Sequence, residues 1–383
     1  MRVRMNAKSE IASNPLMQLR KLGQSVWLDD IGRAMLDDGS LARLIEEDGI
    51  AGVTSNPAIF AAAINKDPQY QRAIAELLPK ESSNLALYET LTIEDLRRAA
   101  DLFRRDYERT SGGDGFVSME VSPHLAYDTA GSLAEAQRLW GLLQRQNAMI
   151  KIPGTEAGLP AIRDTIAAGI NVNVTLLFSP ERYRAVASAY FDGLEARLAA
   201  GKPIEQIASV ASFFLSRIDT LVDKQLDELT ARGQKAAHEL RGTAAIASAC
   251  RAYAIYEELI ATPRWKALAA KGGRPQRLLW ASTSAKDPTY SPVKYVEELI
   301  APATVNTMPR ETIDAYRRQG KPELRLEAQI APAAEVFAGL QRLGINMAGV
   351  AEQLEREGVR KFIEPFDKLQ AALEDHRGKQ KTA

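Results

Sequence analysis

Lys151 stands between two isoleucines on the short run Ala148-Met-Ile-Lys-Ile-Pro-Gly-Thr155, which reads as a strand stopped by proline and glycine. An ammonium group set among apolar neighbours loses hydration and gives up its proton more readily. The neutral amine can then attack a carbonyl carbon and form a Schiff base. The same tripeptide also fits a half-exposed strand whose lysine points into water. Its chemical meaning therefore depends on what other segments bring beside it.

Several other apolar runs are interrupted by polar residues towards their C-terminal ends. Asp29 and Asp30 end one, Thr54 and Asn56 sit in a second, and Ser118 and Glu120 in a third. Asn171, Asn173 and Thr175 punctuate another, and Ser209 and Ser212 the next, with Arg217 just beyond. Ser118 shares a strand face with Glu120, and Asn173 with Thr175, because both pairs are two residues apart. Each has a structural explanation as well. The two aspartates could cap a helix, Asn56 before Pro57 could make a turn, and Glu120 could form an ion pair. Asn173 and Thr175 could bond loop backbone, and Arg217 could lie on a solvated helix face. A fold that buried all of them unpaired would lose roughly 1–3 kcal/mol for each. A shared polar site removes that difficulty.

The elements that would build such a site follow from the pattern. Strands are expected at Ser25–Asp30, Gly52–Pro57, Gly115–Val121, around Lys151, at Asn171–Phe178, Gln206–Phe214, Arg277–Ser282 and Ala303–Met308. Helical stretches separate them. Ser40 is expected as one N-cap with Gly49 as the matching stop. Thr92-Ile-Glu-Asp95 reads as a helix start, and Ser132-Leu-Ala-Glu135 as a capping box ahead of the stripe Leu133, Ala136, Leu139, Trp140 and Leu143. Eight strands alternating with helices imply parallel pairing and closure. The expectation is an α/β chain of one domain: a leading helix in residues 1–24, a (β/α)8 TIM-type barrel over 25–310 and further C-terminal helices over 311–383. A helical insert is expected at about 218–259. A doubly wound open sheet is the alternative, but no G-x-G-x-x-G or G-x-x-x-x-G-K-[ST] loop accompanies it. In a barrel the strand C-termini share one mouth, where the polar residues above would converge.

Composition narrows the classes. The chain has 383 residues, 45% hydrophobic and 26% charged, with 49 basic and 49 acidic side chains. That balance suggests neither nucleic acid nor membrane partners. Cys250 is the only cysteine, which excludes a disulfide within one chain and suits a reducing compartment. His124, His238 and His376 are far apart and lack zinc-ligand spacing. No apolar run is long enough to span a bilayer, and the basic start Met1-Arg-Val-Arg-Met5 is not followed by a signal-peptide core. The expectation is a cytoplasmic protein that uses no metal.

The chain resembles the transaldolases, specifically the longer bacterial type. The resemblance rests on Val26-Trp-Leu-Asp-Asp30, Gly52-Val-Thr-Ser-Asn-Pro57, Val117-Ser-Met-Glu120 with Tyr127-Asp128, Met149-Ile-Lys-Ile-Pro153, Ile170–Phe178 and Trp280-Ala-Ser-Thr283. It implies transfer of a dihydroxyacetone unit from a ketose phosphate to an aldose phosphate, without cofactor, in the non-oxidative pentose phosphate pathway. It makes Lys151 the Schiff-base lysine and Asp29, in phase with Trp27, the acid/base for C3–C4 cleavage, with Asp30 as its rival. Glu120 and Thr175, with a water, would move protons during imine formation. Thr54, Asn56 and Asn173 would hold substrate, with Asn56 and Asn173 on the hydroxyls of the three-carbon unit. Ser212 and Arg217 would face phosphate. Shorter members of the family carry an arginine just after the serine of strand seven. Here Ser282 is followed by Thr283, Ser284, Ala285 and Lys286, leaving Lys286 as the candidate phosphate contact.

Two other functions remain open at this point. An aldolase on the same scaffold would release free dihydroxyacetone, although aldolase relatives carry Gln where Glu120 stands and Tyr where Phe214 stands. A barrel that only binds sugar phosphates is the second. Both monomer and homodimer are compatible with the sequence.

Overall fold

A computed structural model describes residues 14–381. The basic start Met1–Met5, most of the expected leading segment and the last two residues lie outside the described residues.

Eight strands form a closed barrel in sequence order. They are β1 (Gln24–Leu28), β2 (Gly52–Val53), β3 (Phe116–Glu120), β4 (Ala148–Pro153), β5 (Val172–Leu177), β6 (Ser209–Phe214), β7 (Arg277–Ala281) and β8 (Thr304–Met308). All neighbouring pairs are parallel, and β1 closes on β8 from Gln24↔Thr304 to Leu28↔Met308. This is the (β/α)8 barrel expected from the alternation of elements, and it excludes the open sheet.

Register decides what faces the interior. Glu120 pairs with Lys151 and Lys151 with Asn173, so polar residues of β3, β4 and β5 stand side by side. Ile150 and Ile152 point the other way, towards the surrounding helices, and are fully buried there. At the N-terminal end the barrel is plugged by Trp27, whose indole Nε1 donates to Asp114 at 2.8 Å. Asp114 also accepts from Ser25 and lies 3.5 Å from Arg277. Gly52 makes room for the plug: a Cβ there would sit 2.6 Å from Trp27 Cδ2 and 2.8 Å from the Phe116 carbonyl.

β2 is much shorter than the expected Gly52–Pro57. After Val53 the chain leaves the ladder, because Asn56 caps the helix Pro57–Lys66 by accepting from Ile59 N at 3.0 Å. Three expected helix starts are also corrected. Gly39, with φ 70°, is the cap before Ser40–Asp48, so Ser40 is the first helical residue; Gly49 does terminate it at φ 69°. Thr92 lies inside the helix Asn84–Arg109, where its hydroxyl bonds the Tyr88 carbonyl, and the true cap is Ser83. Asp128 caps Thr129–Leu143, while Ser132 donates to the Leu125 carbonyl instead of forming a box with Glu135. In each case a nearby residue offered a better oxygen or a glycine conformation.

The β6-to-β7 connection holds the helices Ser216–Ala231 and Ala244–Ala261. Cys250 is buried in the second, and burial pushes its thiol up to about 12, which fits a packing role. Beyond β8 come helices Arg310–Gln319, Ile330–Arg342 and Met347–Lys381. The last runs back across the C-terminal mouth with Phe362, Phe366, Leu369 and Leu373 buried. Its ring Phe366 packs edge-on against Tyr88 and His124, and His124 Nε2 lies 2.7 Å from Asp367 Oδ1. Among the described residues, no helix is long and apolar enough to cross a membrane.

Gly52→Ala tests the plug. Crowding against Trp27 should cost about 1–3 kcal/mol in urea unfolding. An unchanged midpoint would show that the indole is not wedged where it lies.

Candidate active site

A cavity of 260 Å³ opens at the C-terminal mouth. Its walls include Asp29, Thr54, Asn56, Lys151, Thr175, Ser212, Arg217, Ser282 and Lys286. Nine of the eleven expected residues therefore share one space. Asp30, the rival of Asp29, is not among the lining residues.

Lys151 is buried, with its Nζ donating to the Ser55 carbonyl at 2.9 Å and lying 3.2 Å from Glu120 Oε2. The Phe362 ring centroid is 5.8 Å away. The expected greasy setting is thus corrected: the flanking isoleucines face outwards, and the ammonium meets a carboxylate, a carbonyl and a ring face. The Ser55 carbonyl is held in turn by its own residue, whose hydroxyl bonds the Ser118 carbonyl at 2.7 Å.

Glu120, with its side chain 3% exposed, stands beside the cavity wall behind Lys151. Apart from that ion pair, its oxygens have no hydrogen-bond partner among the described residues. Burial raises its affinity for a proton above that of an ordinary glutamate, and the nearby Lys151 charge only partly offsets this. Thr175 Oγ1 is likewise buried without a partner among the described residues. β5 is bulged after Val174, and Leu176 takes a φ of 62°, a left-handed value that a leucine adopts only under constraint. The bulge falls next to Thr175.

Asp29 is also raised above the usual aspartate range, first by desolvation. The Thr54 hydroxyl, donating to Asp29 Oδ1 at 2.7 Å, and the Lys151 and Arg217 charges pull the other way. Thr54 Oγ1 is also 2.8 Å from Thr307 Oγ1, so β8 supports the pair. With Thr54 donating to Asp29, Thr307 is the donor to Thr54.

Asn173 lies one layer deeper. It is fully buried beneath the cavity, donating to Ser118 Oγ at 3.1 Å and accepting from Ser212 Oγ at 2.7 Å. Its amide orients Ser212 and does not itself line the space. Asn56 does line it, and its Oδ1 is engaged in the helix cap, which leaves the Nδ2 donor. On the outer wall, Arg217 lies over Phe214 at 5.2 Å and Phe362 at 5.9 Å, with Nη1 buried and without a hydrogen-bond partner among the described residues. Desolvation lowers its proton affinity, as for a cation awaiting an anion. Ser282, at φ 56°, shares a 2.8 Å hydrogen bond with Ser216, and the exposed Lys286 donates to Ser284 at 2.6 Å. Ser55 and Thr307 were missed by sequence reasoning, because their contacts come through a backbone carbonyl and a remote strand. The apolar stripe of the closing helix shows Phe362 in the sequence, but not that its ring lies over Lys151.

A parallel barrel with a buried, carboxylate-paired lysine at its C-terminal mouth defines a barrel enzyme equipped for carbonyl chemistry. The family model described as Transaldolase/Fructose-6-phosphate aldolase matches residues 26–373, and the chain belongs to this family. A protein named Transaldolase from Trichodesmium erythraeum (strain IMS101) is 48% identical over 372 residues, covering 95% of this chain and 98% of the relative. Transaldolase 2 of Nostoc sp. (strain PCC 7120 / SAG 25.82 / UTEX 2576) is 46% identical, with the same coverage. A Transaldolase from Saccharopolyspora erythraea is 48% identical over 92% of this chain and 95% of its own length.

The raised Asp29 carboxyl has a consequence for stability. Below the unfolded value near 3.8 the group is protonated in both states and costs nothing. As pH rises towards the higher folded value, the unfolded chain ionises first and folding loses stability. Asp29→Asn should therefore melt higher than the parent at pH 7, with the gap closing as pH falls towards 4. A lower melting temperature at pH 7 would contradict the assigned burial.

Proposed function

We propose that this chain is a transaldolase that acts through a Schiff base on Lys151. It transfers a dihydroxyacetone unit from sedoheptulose 7-phosphate or fructose 6-phosphate to glyceraldehyde 3-phosphate or erythrose 4-phosphate, in the non-oxidative pentose phosphate pathway. The observation that carries the reading is the 3.2 Å pairing of Lys151 with Glu120 at a cavity that also holds Asp29.

Glu120 takes a proton from the ammonium, and the free amine attacks the C2 carbonyl of the donor. Glu120, with Thr175 and a water, then protonates the departing hydroxyl as the carbinolamine becomes an iminium. Asp29 accepts the C4 hydroxyl proton while the C3–C4 electron pair moves into the iminium, giving an enamine and free aldose phosphate. The acceptor aldehyde is attacked by the enamine carbon, and Asp29 returns its proton to the new hydroxyl. Hydrolysis frees Lys151. Ser212, oriented by Asn173, and the Asn56 amide hold the hydroxyls of the three-carbon unit, and Thr54 holds Asp29. Arg217, Ser282 and Lys286 receive phosphate; Arg217 is the strongest of these, because its guanidinium offers a fork where Lys286 offers a point charge. A cytoplasmic enzyme, monomeric or homodimeric, goes with this reading.

The rival aldolase reading is disfavoured by Glu120 and by Phe214, which brings no hydroxyl to the wall beneath Arg217. Supplied with fructose 6-phosphate alone, the enzyme should release little dihydroxyacetone, and adding erythrose 4-phosphate should start sustained turnover. Fast release without acceptor would make it an aldolase. Asp29→Asn should lower turnover roughly 10²–10⁴-fold while the covalent donor adduct still accumulates. Near-parental turnover would remove Asp29 from the role.

A further inference from the structure

We propose that Phe362 is the residue that commits the bound three-carbon unit to transfer, by keeping bulk water from the enamine formed on Lys151. This rests on the Schiff-base transferase reading above and concerns what happens to its enamine.

The enamine has two fates. Attack on an acceptor aldehyde forms a new carbon–carbon bond. Alternatively, its nucleophilic carbon takes a proton from water or from protonated Asp29, and the enamine becomes an iminium. Water then adds to the C=N carbon, and cleavage of the C–N bond returns the free amine and releases dihydroxyacetone. One water is consumed, and no oxidant or reductant is needed. Both routes end in hydrolysis of an iminium; the second differs in that a proton must first reach the enamine carbon, and water at the Lys151 end of the cavity supplies it.

That end is roofed from outside the barrel. Phe362 comes from the helix Met347–Lys381 and is 4% exposed. Its ring lies 5.8 Å from Lys151 Nζ and 5.9 Å from the Arg217 guanidinium, so one apolar side chain spans both cations. Such a ring displaces water, and its face also stabilises the positive iminium. Phe178 and Phe214, 5.4 Å apart, continue the apolar cover on the barrel side.

The helix is fixed on both flanks of the ring. Phe366, one turn on, is gripped by Tyr88 and His124. Further along, Asn84 Nδ2 donates to Glu374 at 2.6 Å, and Arg377 donates to the carbonyls of Leu78 and Glu81 at 3.2 and 3.0 Å. On the other side, Gly358 brings the helix against Leu176, the strained residue of the β5 bulge; a Cβ there would lie 2.9 Å from Leu176 Cδ2. The roof and the Thr175 wall are thus in register through one contact.

The test compares Phe362→Ala and Phe362→Leu with the parent, measuring dihydroxyacetone release against transfer to erythrose 4-phosphate in one reaction. Phe362→Ala should raise the release-to-transfer ratio several-fold, and Phe362→Leu, which keeps an apolar cover, should stay near the parental ratio. A purely structural role would lower both products together and leave the ratio fixed. An unchanged ratio in Phe362→Ala, or a leucine variant that leaks as much as alanine, would overturn the proposal. If the parent itself releases dihydroxyacetone freely without acceptor, the transferase reading fails instead.

Discussion

The structure depends on a buried ammonium that must be both held and released. Lys151 sits inside a barrel, where an unpaired charge would be costly, and Glu120 beside it is the group that makes its burial tolerable. The same carboxylate has no other partner among the described residues and holds protons more readily than a solvated glutamate. A close pair of this kind can pass its proton across 3.2 Å without solvent. One contact makes the burial tolerable and, in the proposed reaction, carries the proton.

Around that pair the barrel divides its labour by strand. β3, β4 and β5 align Glu120, Lys151 and Asn173 through consecutive parallel registers. Asp29, just past β1, is held on the other side of the mouth by Thr54, just past β2, which Thr307 of β8 supports in turn. The two carboxylates thus have different supports: an ammonium for one, a chain of hydroxyls for the other. Trp27, seated against Gly52 at the opposite end, closes the barrel below them.

The barrel was legible because its strands are short apolar runs broken by polar residues near their C-termini, and period and order suffice to close eight of them. Lys151, Asp29 and Glu120 stood out for the same reason, each being a charge where a buried strand should have none. Harder to see was anything set by competition between neighbouring oxygens: Ser132 looked like a cap, yet Asp128 lies closer to the orphan amides. The isoleucines beside Lys151 suggested an apolar pocket, whereas strand alternation sends them outwards. Asn173 and Thr175 share a face, but one layer of depth separates a buried brace from a lining group. The Ser55 carbonyl carries no local pattern, being backbone, and the stripe that holds Phe362 does not show that its ring reaches Lys151 from a helix two hundred residues on.

The most direct measurement is borohydride reduction of the enzyme with fructose 6-phosphate, followed by peptide mass mapping. The account predicts a stable three-carbon adduct on the peptide that contains Lys151, at one site per chain. An unmodified Lys151, or an adduct on another lysine, would contradict it.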